Sequence, residues 1–321
     1  MNRIRSNHLI KQLRAFNSSS QIYNPRKFRS DCLSKHTNQF GEKKISELDI
    51  DTIIPEHIIK PDYAYTSQPA EWSEFIELKD DEVLLEDFKE ACQLASRALK
   101  LGGSLCLEGV TTDHIDEKVR DYIISQGGYP STLNYMGFPN SICTSINNVI
   151  CHGIPDSRPL HNGDIINIDV TVYYKGFHGD NSATFLVGQV DELGLELTEV
   201  TKLCLDKAIE ICGPEVPLKE IGNVIEETAS KYNFSVSEDL TGHGIGRMFH
   251  EIPLIFHHAN EEPGHMLEGM SFTIEPILCQ GTSLGMKWDD NWTIVTKDGG
   301  RSAQFEHTII VTSDGAEILT K

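Results

Sequence analysis

The chain has 321 residues, 39% of them hydrophobic and 24% charged, as in an ordinary globular protein. Its net charge of −20 excludes a protein that grips nucleic acid through a basic face. No apolar run approaches the ~18 residues that argue for a membrane-spanning helix.

The charge is uneven. Residues 1–30 contain Arg3, Arg5, Lys11, Arg14, Arg26, Lys27 and Arg29 and no acid. With Ile4, Leu9, Ile10, Leu13 and Phe16 at roughly helical intervals, this leader reads as an organellar transit peptide. The mitochondrial matrix comes before a plastid, and the cytoplasm is expected only if the leader targets nothing. Residues 31–80 read as a connector, polar at first, then punctuated by Pro55, Pro61 and Pro69 among Tyr63, Tyr65 and Trp72. It is expected to lie extended over the core with little structure of its own. The eight cysteines form no CxxC pair and read as small core residues rather than disulfides or a zinc finger.

From Asp81 the pattern is helical, with Val83, Leu84, Phe88, Ala91, Ala95, Ala98 and Leu99 on one face and Gly102-Gly103 as the stop. A second helix is expected over about 112–126, ended by Gly127-Gly128. Residues 129–162 form a Gly/Pro/Asn-punctuated stretch. Strands follow at about 164–174 and 182–189, then helices at about 193–212 and 217–231. Strands carrying Glu275, Trp292 and Glu306 close the chain.

The run from Gly163 to Val170 alternates apolar and polar residues like a half-buried strand, and its polar side carries Asp169 with no basic residue nearby. Asp180 follows in Gly179-Asp180-Asn181-Ser182. Two strand-borne acids facing one cleft resist ionising together, and a divalent cation with its preference for oxygen ligands removes the conflict. The pattern returns at Gly269 to Pro276, where Glu275 lies six residues after a glycine, as Asp169 does. Glu306 sits on a further strand-like run, and Thr241-Gly242-His243-Gly244-Ile245-Gly246 sets a histidine among glycines, where a metal can approach closely. The chain therefore reads as two related halves sharing one centre, in a single α+β domain over 81–321.

These motifs carry a resemblance. Asn147-Asn148-Val149-Ile150-Cys151-His152-Gly153-Ile154-Pro155, Asn167-Ile168-Asp169-Val170-Thr171-Val172, Gly176-Phe177-His178-Gly179-Asp180, Gly242-His243-Gly244-Ile245-Gly246, Thr273-Ile274-Glu275-Pro276 and Ser302-Ala303-Gln304-Phe305-Glu306-His307-Thr308 are together highly specific. Residues 81–321 resemble a type I methionine aminopeptidase of the pita-bread fold, with two pseudo-symmetric halves, an antiparallel sheet and flanking helices. The resemblance implies two divalent metal ions (Co, Mn, Fe or Zn), with Asp169 on one, His243 and Glu275 on the other, and Asp180 and Glu306 bridging. It implies that His250 donates to the scissile carbonyl, that His152 contacts the amide nitrogen, and that Glu275 shuttles a proton. It implies a methionine pocket of Tyr135, Phe138, Cys143, Phe249 and Trp292, with Thr132 where bacterial members often carry cysteine. His178, His257, His258 and His265 read as structural, and His307 as a supporting neighbour of Glu306.

The expected substrates are N-terminal methionine peptides and nascent chains with a small second residue, handled by a monomer after peptide deformylase, with no nucleic-acid or membrane partner. An Xaa-Pro peptidase or prolidase would carry a sizeable extra N-terminal domain, whereas about 80 mostly polar or basic residues precede this core. A type II aminopeptidase would carry a helical insertion between His243 and Glu275, and a cytosolic eukaryotic type I enzyme would begin with a Cys/His zinc region. A binding protein that had lost catalysis would lack ligands, and none of the five is missing.

Overall fold

The computed structural model describes residues 48–71 and 81–321; the leader and the rest of the connector lie outside the described residues. Residues 48–71, expected to have little structure, form a short helix α1 (Ile50–Ile53) and a series of turns. They also bury Ile50, Ile54, Ile58, Tyr63 and Ala64 in one cluster with Tyr129, Leu133, Tyr135 and Phe249.

Helix α2 (Glu82–Ser104) begins at Asp81, whose carboxylate accepts from the N–H groups of Val83 and Leu84, two donors a helix start otherwise leaves unpaired. Its apolar face is buried from Phe88 to Leu99, but Val83 belongs to the solvent side at 71% exposure. Gly102 and Gly103, expected as the stop, lie inside the last turn. A Cβ on Gly103 would overlap the Phe185 ring, and one on Gly102 would press on Ile168 and Val119. They let the helix lie close on the sheet. Helix α3 (Thr112–Ser125) is capped by Thr111 and does end at Gly127, whose φ of 86° is left-handed.

The next stretch holds β1 (Tyr129–Pro130), a 3₁₀ turn (Tyr135–Gly137), β2 (Cys143–Ile146) and β3 (Val149–Cys151). Strands β4 (Ile165–Tyr174) and β5 (Phe177–Leu186) are joined by Lys175-Gly176, both with positive φ, the two-residue loop that matches strand twist. The second strand therefore starts earlier than Gly179-Asp180-Asn181 suggests. Gly179 is no turn residue; a Cβ there would stand 2.5 Å from the backbone of Cys92 in α2.

Then come α4 (Glu192–Glu210), α5 (Lys219–Ser230), β6 (Ser235–Val236), β7 (Thr241–Gly244), β8 (Glu251–Phe256) and β9 (Ser271–Ile274). The chain closes with β10 (Ile277–Cys279), β11 (Gly285–Lys287), β12 (Ile294–Thr296), β13 (Ser302–Gln304), β14 (Glu306–Val311) and β15 (Ala316–Ile318). The main antiparallel sheet runs β1-β4-β5-β14-β9-β7-β8, with β2 added on β4 and β15 on β14. Two smaller sheets, β13-β10-β6 and β11-β12-β3, accompany it.

Helices α2 and α3 bury Leu94, Ala98, Ile115 and Val119 against Ile166, Ile168, Val170 and Val172 of β4. Helices α4 and α5 bury Cys204, Leu205, Ile221 and Ile225 with Phe272 and Ile274 of β9 and Ile309 of β14. The two halves echo each other in detail. Gly163 and Gly269 both have positive φ, and their N–H groups donate to Val187 and Val311, each at 2.8 Å. Among the described residues no helix is long and apolar enough to cross a membrane.

One buried acid ties helix to sheet. Asp116 of α3 accepts from Ser141 N (2.8 Å) and Ile142 N (3.1 Å) on one oxygen and from Asn140 Nδ2 (3.2 Å) on the other. Burial pushes its carboxyl up to about 6 against the pull of these donors. Replacing Asp116 by alanine should strand two buried N–H groups and cost about 1–3 kcal/mol of stability in chemical denaturation; an unchanged midpoint would show the segment to be held otherwise.

Candidate metal centre and substrate cavity

Strand register brings the nominated ligands together. Asp169 stands opposite Ser182 across β4–β5, and Thr171, on the same face, stands opposite Asp180. Across β5–β14, Glu306 pairs with Ser182. Across β14–β9, His307 pairs with Ile274, which carries Glu275 to the position beside Glu306. His243 lies on β7, where its N–H donates to Thr273 Oγ1 of β9 at 3.0 Å. The neighbouring strands β4, β5, β14 and β7 thus each present one ligand candidate, and Glu275 follows directly on β9 between the last two. Asp180, His243 and Glu306 offer one atom apiece within 4.8 Å of one another, and all five line one cavity of about 410 Å³.

The glycines around His243 serve the backbone rather than a metal. A Cβ on Gly242 would overlap the Thr273 carbonyl, and one on Gly244 would meet the Ile252 carbonyl at 2.5 Å. A bulge between His243 and Gly244 breaks the register with β8, a device that re-aims a side chain. His243 Nδ1 faces the Gly244 carbonyl at 3.0 Å, which fixes the proton on that nitrogen. Nε2 is left as a lone pair, 3.8 Å from Asp180 Oδ2 and 3.7 Å from Glu275 Oε1.

The carboxyls cannot all ionise as they stand. Burial pushes Asp169 up to about 7, and burial followed by the charge of Asp169 pushes Glu275 up to about 8. Asp180 and Glu306 are raised well above the usual carboxylate range by burial first, and then by the charge of Asp169 on Asp180 and of Asp180 on Glu306. Burial meanwhile lowers His243 to about 4, so the ring is neutral and a competent ligand. A cluster that must either hold protons or hold cations, with its one imidazole tautomer already set, fits divalent metal.

Around it the sequence missed several supporting residues. Thr171 Oγ1 donates to Asp180 Oδ1 (2.7 Å), Thr273 Oγ1 to Glu275 Oε1 (2.9 Å), and Gln304 Nε2 to Glu275 Oε2 (3.1 Å). Thr171 and Thr273 stand two residues from an acid, so strand alternation alone would have put them on its face. His257, read as structural, accepts the Glu275 N–H on Nε2 at 3.1 Å. His307 does not support Glu306; alternation turns it away, and Nδ1 meets Thr320 Oγ1 at 2.9 Å.

The remaining nominees, His152, Tyr135, Phe138, Cys143, Phe249, His250 and Trp292, line the same cavity, as does Thr132. Trp292 is not on a strand. It sits in the turn before β12, its N–H held by Asp290 Oδ1 at 2.8 Å, and its ring stands edge-on to Phe138 (5.2 Å) and His152 (5.8 Å). Tyr135 lies 4.7 Å from Phe249, and its hydroxyl is 2.7 Å from His250 Nδ1. His178 stacks on Phe249 and pairs with Ser131. Cys143 and Cys151 also line the cavity, their thiols pushed up by burial foremost and by nearby acids.

A curled antiparallel sheet that aims four carboxylates and an imidazole into one cavity defines a metal-dependent hydrolase. A model of the metallopeptidase family M24 matches residues 86–313. The chain is 54% identical over 268 residues to "Methionine aminopeptidase 1D, mitochondrial" of Danio rerio, covering 84% of this chain and 79% of that protein. It is 53% identical over 268 residues to "Methionine aminopeptidase 1D, chloroplastic/mitochondrial" of Arabidopsis thaliana, covering 84% and 76%. The crystal structure of methionine aminopeptidase from Rickettsia prowazekii matches with a TM-score of 0.74 at 42% identity, covering 78% of this chain and 100% of that one. The chain belongs to metallopeptidase family M24 and, within it, to the type I methionine aminopeptidases, with their pita-bread fold.

The raised carboxyls have a thermodynamic sign. In metal-free protein the folded state keeps protons on Asp169 and Glu275 that the unfolded chain releases near pH 4, so this contribution is lost as pH rises towards 8. The buried histidines act oppositely, but their contribution is complete by about pH 6.5. Between pH 6.5 and 8 the melting temperature of chelator-treated protein should therefore fall, while that of manganese-loaded protein stays level. Parallel curves would mean the acids are not clustered.

Proposed function

We propose that the chain hydrolyses the first peptide bond of polypeptides that begin with methionine and carry a small second residue, using two divalent cations. The observation that carries this reading is the delivery of one ligand from, or directly after, each of five adjacent strands into a cavity also lined by Tyr135, Phe138, Phe249 and Trp292. Asp169, Asp180, His243, Glu275 and Glu306 would hold the cations, and an oxygen-dominated set suits Co²⁺, Mn²⁺, Fe²⁺ or Zn²⁺ better than a soft ion. When bound, the pair would acidify the attacking water and offset the charge that develops on the substrate.

The chain's own groups supply the rest. Burial holds the Tyr135 phenol well above its usual range, so the hydroxyl keeps its proton and can donate it to His250 Nδ1, 2.7 Å away. Burial and three neighbouring histidines keep His250 neutral. With the phenol as donor, the proton of His250 resides on Nε2, which donates to the scissile carbonyl oxygen. His152, lowered to about 4 by burial, is also neutral and contacts the amide nitrogen. Glu275 takes the proton of the attacking water on a carboxylate oxygen and passes it to the leaving amine; its two hydrogen-bond donors, Thr273 and Gln304, fix the plane of the group. Tyr135, Phe138, Cys143, Phe249 and Trp292 enclose the methionine side chain, where sulfur–aromatic contacts add to burial.

The acid-free leader and the mitochondrial and chloroplastic relatives support a mitochondrial matrix location, with a plastid as the alternative. In such a compartment synthesis starts with formyl-methionine, which places the reaction after peptide deformylase. The enzyme is expected to act as a monomer on nascent chains.

His243→Ala and Glu306→Ala should each abolish cleavage of Met-Ala-Ser and weaken manganese binding by calorimetry. His250→Ala should retain the metal and lower kcat by roughly 10²–10³, as loss of one oxyanion donor does; wild-type kcat in that variant would remove its assigned role. Protein lacking residues 1–30 should keep full peptidase activity but fail to reach the organelle, and import without those residues would refute the targeting assignment.

A further inference from the structure

Resting on the peptidase reading above, we propose that residues 61–67 are a positioning strap for the methionine pocket, in which Tyr63 holds Tyr135 and, through it, His250. The strap precedes the 86–313 region matched by the family model, and none of the residues assigned above lies in it.

Tyr135 is presented by a tight loop, closed by bonds such as Asn134 N–H to the Phe138 carbonyl (2.8 Å), whose backbone is nevertheless strained. Asn134 and Met136, on either side of it, have φ of 62° and 46°, in the left-handed region that side-chain-bearing residues adopt at a cost and keep only where their surroundings over-determine it. The strap supplies those surroundings. Tyr63 is buried at 1% exposure, and its hydroxyl donates to the Ser131 carbonyl at 2.6 Å. Its ring stands edge-on to Tyr135, with centroids 5.0 Å apart at 84°. Asn134 Nδ2 donates back to the Ala64 carbonyl (2.9 Å), and Ser67 Oγ donates to Asn134 Oδ1 (2.8 Å). The loop is thus tied to the strap at Ser131, Asn134 and Tyr135.

What the strap fixes reaches the chemistry in one step. The Tyr135 hydroxyl is 2.7 Å from His250 Nδ1, and the Tyr135 ring packs on Phe249. Tyr135, Phe249 and His250 form a wall shared by the substrate cavity and a second cavity of about 120 Å³, whose other side includes Pro61 and Tyr63. Without Tyr63 that wall has room to retreat. None of the five ligand candidates lines the strap cavity, and the one link is the His243 ring, 4.2 Å from that of His250, so the metal centre should sense the loss far less than the pocket does.

The test compares the full chain with Tyr63→Ala, Tyr63→Phe, Asn134→Gly and Leu205→Ala, the last a core change behind the other half of the sheet. Kinetics on Met-Ala-Ser, manganese affinity by calorimetry and melting temperature are measured for each. Tyr63→Ala should lower kcat/KM about tenfold or more, through both kcat and KM, because a pocket wall displaced by a fraction of an ångström costs that much. Its manganese affinity should fall far less than its kcat/KM. Tyr63→Phe, which keeps the ring, should restore most of the activity. Asn134→Gly, whose glycine accepts the left-handed backbone, cuts the tie from the loop side, should show the same pattern, and decides the matter if Tyr63→Ala does not fold. Leu205→Ala should lower the melting temperature with unchanged kinetics. Wild-type kinetics in Tyr63→Ala or Asn134→Gly, or equal losses of activity and metal affinity, would overturn the strap. A wild-type chain unable to cleave the peptide would overturn the peptidase reading itself.

Discussion

Repulsion among buried carboxyls is the constraint on which this molecule is built. Asp169, Asp180, Glu275 and Glu306 share one cavity, and burial raises all four above the range in which carboxyls ordinarily ionise. Such a cluster persists only where the backbone leaves the side chains no alternative direction. Here Asp169, Asp180 and Glu306 sit on different strands and Glu275 directly follows another, β9, and the pairings Asp169–Ser182, Thr171–Asp180, Glu306–Ser182 and His307–Ile274 set their faces. A slip of one residue in any pairing would turn an acid into the helix-packed core. Metal affinity and strand register are therefore one property.

The rest of the fold protects that register. Thr308 Oγ1 bridges β5 and β14, accepting from Asp180 N (3.2 Å) and donating to the Asp180 carbonyl (2.7 Å). The helix pairs press on the sheet in each half, and α2 comes close enough to β4 and β5 because Gly102, Gly103 and Gly179 remove the Cβ atoms that would intervene. Gly242 does the same between β7 and β9. The repeated Gly163 and Gly269 turns, each hydrogen-bonded to the end of a partner strand, start the two acid-bearing strands in phase.

The sequence disclosed the parts that repeat a period for long enough. The four long helices and β4 show their pattern over ten residues or more, and Asp169 and Glu275 are legible because each closes an alternating run six residues after a glycine. Strands β2, β3 and β10 to β13 are three or four residues long and leave no alternation to read. Gly102-Gly103 and Gly179 look like punctuation, because composition cannot distinguish a glycine that bends the chain from one that admits a neighbour. His307 adjoins Glu306 in sequence yet faces the other way. The segment 48–71 was read as a linker because its buried residues, Ile50, Ile54, Ile58 and Tyr63, share no period among prolines and charges; only the fold shows what they rest against.

The cysteines in the cavity carry a last consequence. Cys143 and Cys151 stand within a metal-binding cavity, yet burial foremost, and the charges of nearby acids after it, keep their thiols protonated. A thiol that holds its proton is a poor nucleophile, and a soft ion must displace that proton to bind. The cavity thus contains sulfur with its appetite for copper(I) and other thiophilic ions muted, whereas the carboxylates and the His243 lone pair receive a harder ion with no thiolate at all.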